Sequence, residues 1–198
     1  MPRRAAGRIE GKPVVERVII GGFGGQGVIF LGKLLTQAMM DEGLHVTYFP
    51  AYGPEVRGGR ANCHVIIASE PILCPVIAQP DALLIMNQIT WDYYAPWLRP
   101  GGLAVMNSSM VIGTPADPSH RVVCVPATEI ANDLGDVRST NMVMLGAYNQ
   151  VRELLPLDNL LAHLRSALGG AKAGLFELNC KAVLRGSEAV AAASERSP

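Results

Sequence analysis

Gly21 to Gly27 reads Gly-Gly-Phe-Gly-Gly-Gln-Gly, five glycines in seven residues, set between the apolar runs Val18–Ile20 and Val28–Leu35. A glycine turn between a strand and a helix can offer bare backbone N–H groups to a phosphate, backed by the positive end of the helix dipole. A second stretch, Pro50 to Arg60, concentrates Tyr52, Glu55, Arg57 and Arg60 among Gly53, Gly58 and Gly59. Arginine presents a planar fork of donors that fits a phosphate or a carboxylate. Glycine lets another backbone or a ligand approach closely.

Two specific readings of the glycine turn lack their companion residues. Gly22-Phe23-Gly24-Gly25-Gln26-Gly27 satisfies the dinucleotide pattern GxGxxG. That chemistry needs an acid at the end of the next strand to hold the ribose hydroxyls. The next strand ends Val46-Thr47-Tyr48-Phe49-Pro50, with Glu42 before it and Glu55 beyond it. The same residues open a P-loop pattern, Gly22 to Gly27. Val28 and Ile29 then stand where a lysine and a hydroxyl residue would reach the terminal phosphates and magnesium. Two uses remain. The N–H groups of Gly24 to Val28, with the Gln26 amide, contact an anionic cofactor, or the glycines let the turn pack against a partner backbone. The arginine stretch has the same duality: a fork for phosphate or carboxylate, or a solvated turn with a Glu55–Arg57 pair.

The elements that must position these stretches follow from apolar periodicity. Val14–Ile20, His45–Phe49, Ala61–Ala68, Asp81–Met86, Leu103–Met106 and Arg121–Val125 read as strands. Val28–Met40 reads as a helix, with Val28, Leu31, Leu35, Ala38 and Met39 on one face. Further helices are expected at Gln88–Leu98, Ala127–Leu134, Thr140–Leu154, Leu157–Leu168 and Lys172–Ala193. Strands alternating with helices predict a single α/β domain of Rossmann-like, doubly wound type: a mainly parallel sheet with helices on both faces. Ligands of such sheets sit beyond the carboxyl ends of the strands, where both stretches fall. Residues 1–14 are expected to form a flexible arm and 15–198 the domain.

The chain has 198 residues, 49% hydrophobic and 17% charged, with zero formal net charge. That charged share is below the quarter usual for soluble domains, so part of the surface is expected to be buried against other subunits. A neutral chain has no basic field for nucleic acid. No uninterrupted apolar run reaches the length of a membrane span, and the opening residues lack a signal-peptide core. Cys63, Cys74, Cys124 and Cys180 form no CxxC pair. They fit neither a zinc ribbon nor a cluster motif and are expected to be reduced thiols.

The two stretches together resemble the γ subunit, or γ domain, of the 2-oxoacid:ferredoxin oxidoreductases. The likeness is carried by GGQG at Gly24–Gly27 followed by YGxExRGG, with Tyr52, Gly53, Glu55, Arg57, Gly58 and Gly59 in the motif positions. It continues through Asp81–Met86, through Asn141–Ala147 (NMVMLGA), and into the last helix with Asn179 and Gly186. The resemblance implies a non-catalytic subunit of a multisubunit enzyme that oxidatively decarboxylates a 2-oxoacid to an acyl-CoA. Thiamine diphosphate, Mg2+ and iron–sulfur clusters are then expected in partner subunits of α, β and δ type, with ferredoxin or another acceptor taking the electrons. This chain agrees: its nearest fragment to a thiamine motif, Gly135-Asp136-Val137, lacks the second glycine. The cysteine spacing is that expected of a cytoplasmic chain. The resemblance assigns Gly24, Gly25, Gln26, Gly27, Tyr52, Glu55, Arg57, Gly58 and Gly59 to loops that touch coenzyme A or partner subunits.

Overall fold

The structure, a computed structural model, describes residues 8–9, 12–13, 15–52, 60–113, 118–168 and 173–194. Two short strands, β1 (Arg8–Ile9) and β2 (Lys12–Pro13), pair antiparallel within the expected N-terminal arm. The sheet proper contains β3 (Val15–Phe23), β4 (His45–Tyr52), β5 (Arg60–Ala68), β6 (Ala82–Ile85), β7 (Leu103–Asn107) and β8 (Arg121–Val125). Their spatial order is β4-β5-β3-β6-β7-β8.

β3, β6, β7 and β8 run parallel, while β5 runs antiparallel to both β3 and β4. The sheet is therefore mostly parallel with one reversed strand. The reason is the short connection from Tyr52 to Arg60. A parallel return needs a crossover of about a dozen residues or more, whereas a short loop closes a hairpin.

The helices are α1 (Val28–Asp41), α2 (Gln88–Tyr94), α3 (Ala127–Asp133), α4 (Thr140–Arg152), α5 (Leu157–Ala167) and α6 (Ala173–Ser194). The expected helix from Gln88 to Leu98 thus breaks into α2 and a 3-10 turn at Ala95–Trp97, where Pro96 enters the first turn. One face of the sheet presents Val18, Ile20, Cys63, Val65, Leu84 and Val105 to α1, α4 and the helices around them. The other face presents Ile19, Ile66, Leu83, Ile85 and Met106 to Trp91, Tyr94 and Leu98. The faces are covered unequally: five helices lie on the first and the short α2 with its 3-10 turn on the second.

α4 is buried on every side over most of its length, from Thr140 through Asn149. It lies between the sheet and α6. A Cβ on Gly146 would meet the carbonyl of Val183, and one on Gly186 the carbonyl of Val143. These two glycines let the helix backbones touch, which explains small residues at the crossing.

At the amino ends of β3 and β6 lies a polar cluster. Arg152 Nε stands 2.9 Å from Glu16 Oε1, and the Tyr148 hydroxyl donates to the same oxygen at 2.8 Å. Asp81 meets Arg99 at 2.6 Å and Arg17 at 3.3 Å. Burial pushes the Glu16 carboxyl above its ordinary value against the pull of Arg152. The cluster closes the end of the sheet opposite the glycine turn and leaves the carboxyl edge as the functional one.

Candidate functional site at the carboxyl edge of the sheet

β3 carries straight through Gly21 and Gly22 to Phe23 before the chain turns. The Gln26 N–H donates to the Phe23 carbonyl at 3.1 Å, and Leu31 N–H donates to Gly27 O at 2.9 Å to start α1. Gly24 and Gly25 are exposed at the tip. Gly25 and Gly27 both have positive φ, 97° and 71°, the left-handed region that side chains resist. They differ in surroundings: a Cβ at Gly25 would meet open space, while one at Gly27 would strike the side-chain amide of Asn141. The Asn141 Nδ2 donates to the Gly27 carbonyl at 3.2 Å. The first turn of α1 holds no acid and its N-cap has no side-chain cap. Exposed glycines leading into an uncapped helix start are the arrangement that favours an anion.

Gln26 is turned inward. Its Oε1 accepts from the Phe23 N–H at 2.7 Å and from Asn87 Nδ2 at 2.9 Å. The sequence alone reads this amide as one that can donate or accept. The structure commits its oxygen to the loop itself, so an outward contact falls to Nε2–H. Asn87 in turn caps α2, its Oδ1 accepting from Thr90 N–H at 3.1 Å. One strand further, Asn107 donates to Met86 O at 3.3 Å and to Thr128 Oγ1 at 2.8 Å, and accepts from Thr128 N–H at 3.3 Å. Asn87 and Asn107 are buried. Buried amides fully engaged in this way make neighbouring loops rigid with respect to one another.

Sequence reasoning missed Asn87, Asn107 and Thr128, and it gave Asn141 no individual role. The signal was present. Asn87 and Asn107 each follow directly on an apolar run, Ala82–Met86 and Leu103–Met106. A polar side chain at the carboxyl end of a buried strand stands where an α/β sheet builds its sites.

The arginine stretch leaves and re-enters the sheet beside the glycine turn. Tyr52 ends β4 in register with Ala61, and Arg60 opens β5 in register with Phe23. Gly53, Glu55, Arg57, Gly58 and Gly59 lie outside the described residues. The Arg60 guanidinium sits over the Tyr93 ring, 4.1 Å from its centroid, a cation–π contact. Tyr93 packs against Tyr94, and the His64 ring meets Tyr94 edge-on at 6.2 Å. Burial pushes the Tyr94 hydroxyl up to about 12 and the His64 imidazole below its ordinary value. The glycine turn and the two ends of the arginine stretch, Tyr52 and Arg60, therefore share one edge, with an aromatic cluster beside Arg60 that sequence analysis did not anticipate.

Fold and edge together define an α/β domain, with a glycine turn, the two ends of the arginine stretch and buried amides along one edge of its sheet. Residues 17–189 match the family model described as pyruvate ferredoxin/flavodoxin oxidoreductase. The chain belongs to that family. It is 42% identical over 130 residues to ketoisovalerate oxidoreductase subunit VorA of Methanothermobacter thermautotrophicus, covering 66% of this chain and 27% of that protein. The chain thus spans about a quarter of the VorA length. It is 29% identical over 179 residues to 2-oxoglutarate synthase subunit KorC of Methanocaldococcus jannaschii, covering 87% of this chain and 92% of that one. The solved γ subunit of a keto/oxoacid ferredoxin oxidoreductase from Geobacter sulfurreducens has 28% identity. It aligns with a TM-score of 0.80 over 91% of this chain and 98% of its own. Among the described residues no helix is long and apolar enough to cross a membrane.

Proposed function

We propose that this chain is the γ subunit of a multisubunit 2-oxoacid:acceptor oxidoreductase that converts a 2-oxoacid to an acyl-CoA. It has a structural and gating role and is not catalytic alone. Residues 15–198 act as its γ domain and 1–14 as a flexible N-terminal arm. The observation that carries the reading is the register pair Phe23–Arg60, which joins the two family-type loops at one edge. Partner subunits of α, β and δ type hold thiamine diphosphate, Mg2+ and iron–sulfur clusters, and pass electrons to ferredoxin or another acceptor in the cytoplasm.

Two contacts suit the edge. The N–H groups of Gly24, Gly25 and Gly27, the Nε2–H of Gln26 and the guanidinium group of Arg57 match the diphosphate of coenzyme A. Tyr52, Glu55, Gly58 and Gly59, of the same stretch, are assigned to contacts with coenzyme A or with the catalytic subunits. The reading is tested by affinity purification from the native host, followed by 2-oxoacid- and CoA-dependent dye reduction. Co-purification with larger chains, activity in that complex and none in the separated chain are expected. Activity of the separated chain with thiamine diphosphate and Mg2+ supplied contradicts it.

A further inference from the structure

The outer face of α2 exposes two large apolar side chains beside the hydrogen-bonded pair Gln88–Asp92. Ile89 is 52% exposed and Tyr93, one turn later, 43%. Ile112, 90% exposed, is held at the start of the helix because its N–H donates to Gln88 Oε1 at 2.8 Å. On the other flank Arg60 lies over Tyr93, and Tyr93 also packs on Trp97 at 5.6 Å between ring centroids. Cross-strand partners share a face of the sheet. Phe49, 62% exposed, therefore stands beside its register partner His64, on the side where Tyr94 packs. The surface runs from Ile112 through Ile89 and Tyr93 to Arg60 and Phe49. Its Arg60 end abuts Phe23 and the glycine turn.

Single exposed apolar residues need no explanation, but a joined patch of this kind marks an interaction surface. Tyr, Phe, Trp and Arg are also the residues enriched at the energetic centres of protein interfaces. The covering of the sheet agrees, since among the described residues the only helical cover of this face is α2 and its 3-10 turn, with Ile72, Ile77 and Val111 from loops packed beside them. Among the described residues no carboxylate is ion-paired to Arg60. A guanidinium already stacked on an aromatic ring still has its in-plane donors to offer, and these fit a carboxylate. The aligned part of VorA is 27% of that polypeptide, so the corresponding domain there has a large remainder of protein to face.

We infer that this face docks a larger partner chain of the same complex, through an apolar patch on the partner that carries a carboxylate for Arg60. The inference rests on the subunit reading above and assigns that reading its contact surface. The glycine turn is then the inner rim of the interface, and α2 is the element that carries most of the contact. Leu73, 98% exposed, follows β5 and so lies towards the opposite end of the sheet, outside the surface.

The test is made on the intact complex, purified through a tag on a partner chain at low protein concentration. Ile89→Glu and Arg60→Glu are each expected to reduce retention of this chain at least tenfold, while Leu73→Glu retains it as wild type. In the wild-type complex, amide hydrogens of residues 88–94 are expected to exchange at least tenfold more slowly than in the separated chain. That measurement needs no variant to fold. Several results overturn the inference while leaving the subunit reading in place. These are wild-type retention of both α2-face variants, unchanged exchange at 88–94, equal losses for Leu73→Glu, or an isolated-chain dimer abolished by Ile89→Glu. Failure of the wild-type chain to co-purify with any larger chain overturns the subunit reading itself.

Discussion

Asn87 holds Gln26: its Nδ2 donates to the Gln26 Oε1 at 2.9 Å, and that oxygen also takes the Phe23 N–H. The glycine turn after β3 is thereby tied to the turn after β6, and Asn87 caps α2 with its other atom. Asn87→Ala removes both bonds at once. A lost N-cap costs about 1 kcal/mol, and the lost hydrogen bond to Gln26, whose oxygen keeps the Phe23 N–H, adds roughly 0.5–1.5 kcal/mol. Chemical denaturation should show a loss of about 2 kcal/mol, with Asn87→Asp recovering the cap but not the donor to Gln26. Equal stability of Asn87→Ala and wild type contradicts the tie.

Gln26→Glu separates the two uses of the turn. The carboxylate keeps an acceptor for Phe23 and Asn87, and an acid in this position is favourable to the helix start by about 0.3–1 kcal/mol. The fold should therefore survive unchanged or slightly stabilised. A negative charge at a phosphate-binding turn opposes an anion, so the apparent coenzyme A requirement of the complex should rise tenfold or more, about 1.4 kcal/mol. An unchanged requirement in a correctly assembled complex assigns the turn to subunit packing instead.

Gly25 and Gly27 should respond differently to alanine. Both incur the left-handed strain of about 1–2 kcal/mol. Only Gly27→Ala also drives a methyl group into the Asn141 amide. Thermal unfolding should rank Gly27→Ala clearly below Gly25→Ala, and Gly25→Ala should assemble more readily than Gly25→Val. The opposite ranking is incompatible with the geometry of the turn.

The strands were readable from apolar runs because a strand buried on both faces leaves a continuous signature. The direction of β5 was not. Ala61–Ala68 is equally apolar whichever way it runs, and only the short link from Tyr52 carried the information. The glycine and arginine loops were legible because glycine and arginine are informative by type. Asn87 and Asn107 were marked only by their place after an apolar run, and their partners, like the role of Asn141, were not legible. An asparagine serves turns, caps and cores alike, and its role appears only when the partner strands are in place. The Tyr93–Arg60 stack was equally hidden, since its two members lie on separate elements joined only by the fold.

Arg152→Met should expose the cost of Glu16. Removing one member of a largely buried ion pair strands the other, at about 3–5 kcal/mol. Burial raises the Glu16 pKa in the folded state. The native state therefore binds more protons than the unfolded one above the ordinary carboxylate range, and stability falls as pH rises through that window. Without Arg152 the folded-state value rises further. The deficit relative to wild type should thus be small near pH 4 and grow towards pH 7 in denaturant titrations. A deficit independent of pH shows that Glu16 is not the group left behind.

His64 gives the opposite sign. Burial lowers its pKa in the native state, so the unfolded chain binds more protons as pH falls below about 6.5. The stability from neutral His64 is present above that pH and is lost on acidification through the lowered value. His64→Gln should flatten this part of the stability profile between pH 7 and pH 5. An unchanged slope removes His64 as its source.

The central claim is that the arginine loop beside the glycine turn works at an interface or on coenzyme A within a larger enzyme. The most direct measurement replaces Arg57 in the intact complex and follows subunit retention together with the coenzyme A dependence of turnover. Removing one partner of a buried charge-assisted pair costs about 3–5 kcal/mol, against at most about 1 kcal/mol for a solvated pair. Arg57→Ala is predicted to weaken retention or raise the coenzyme A requirement more than tenfold. Arg57→Lys should recover only part, because an ammonium cannot reproduce the fork. Wild-type retention and wild-type coenzyme A dependence in both variants would make Arg57 a solvated turn residue and contradict the account.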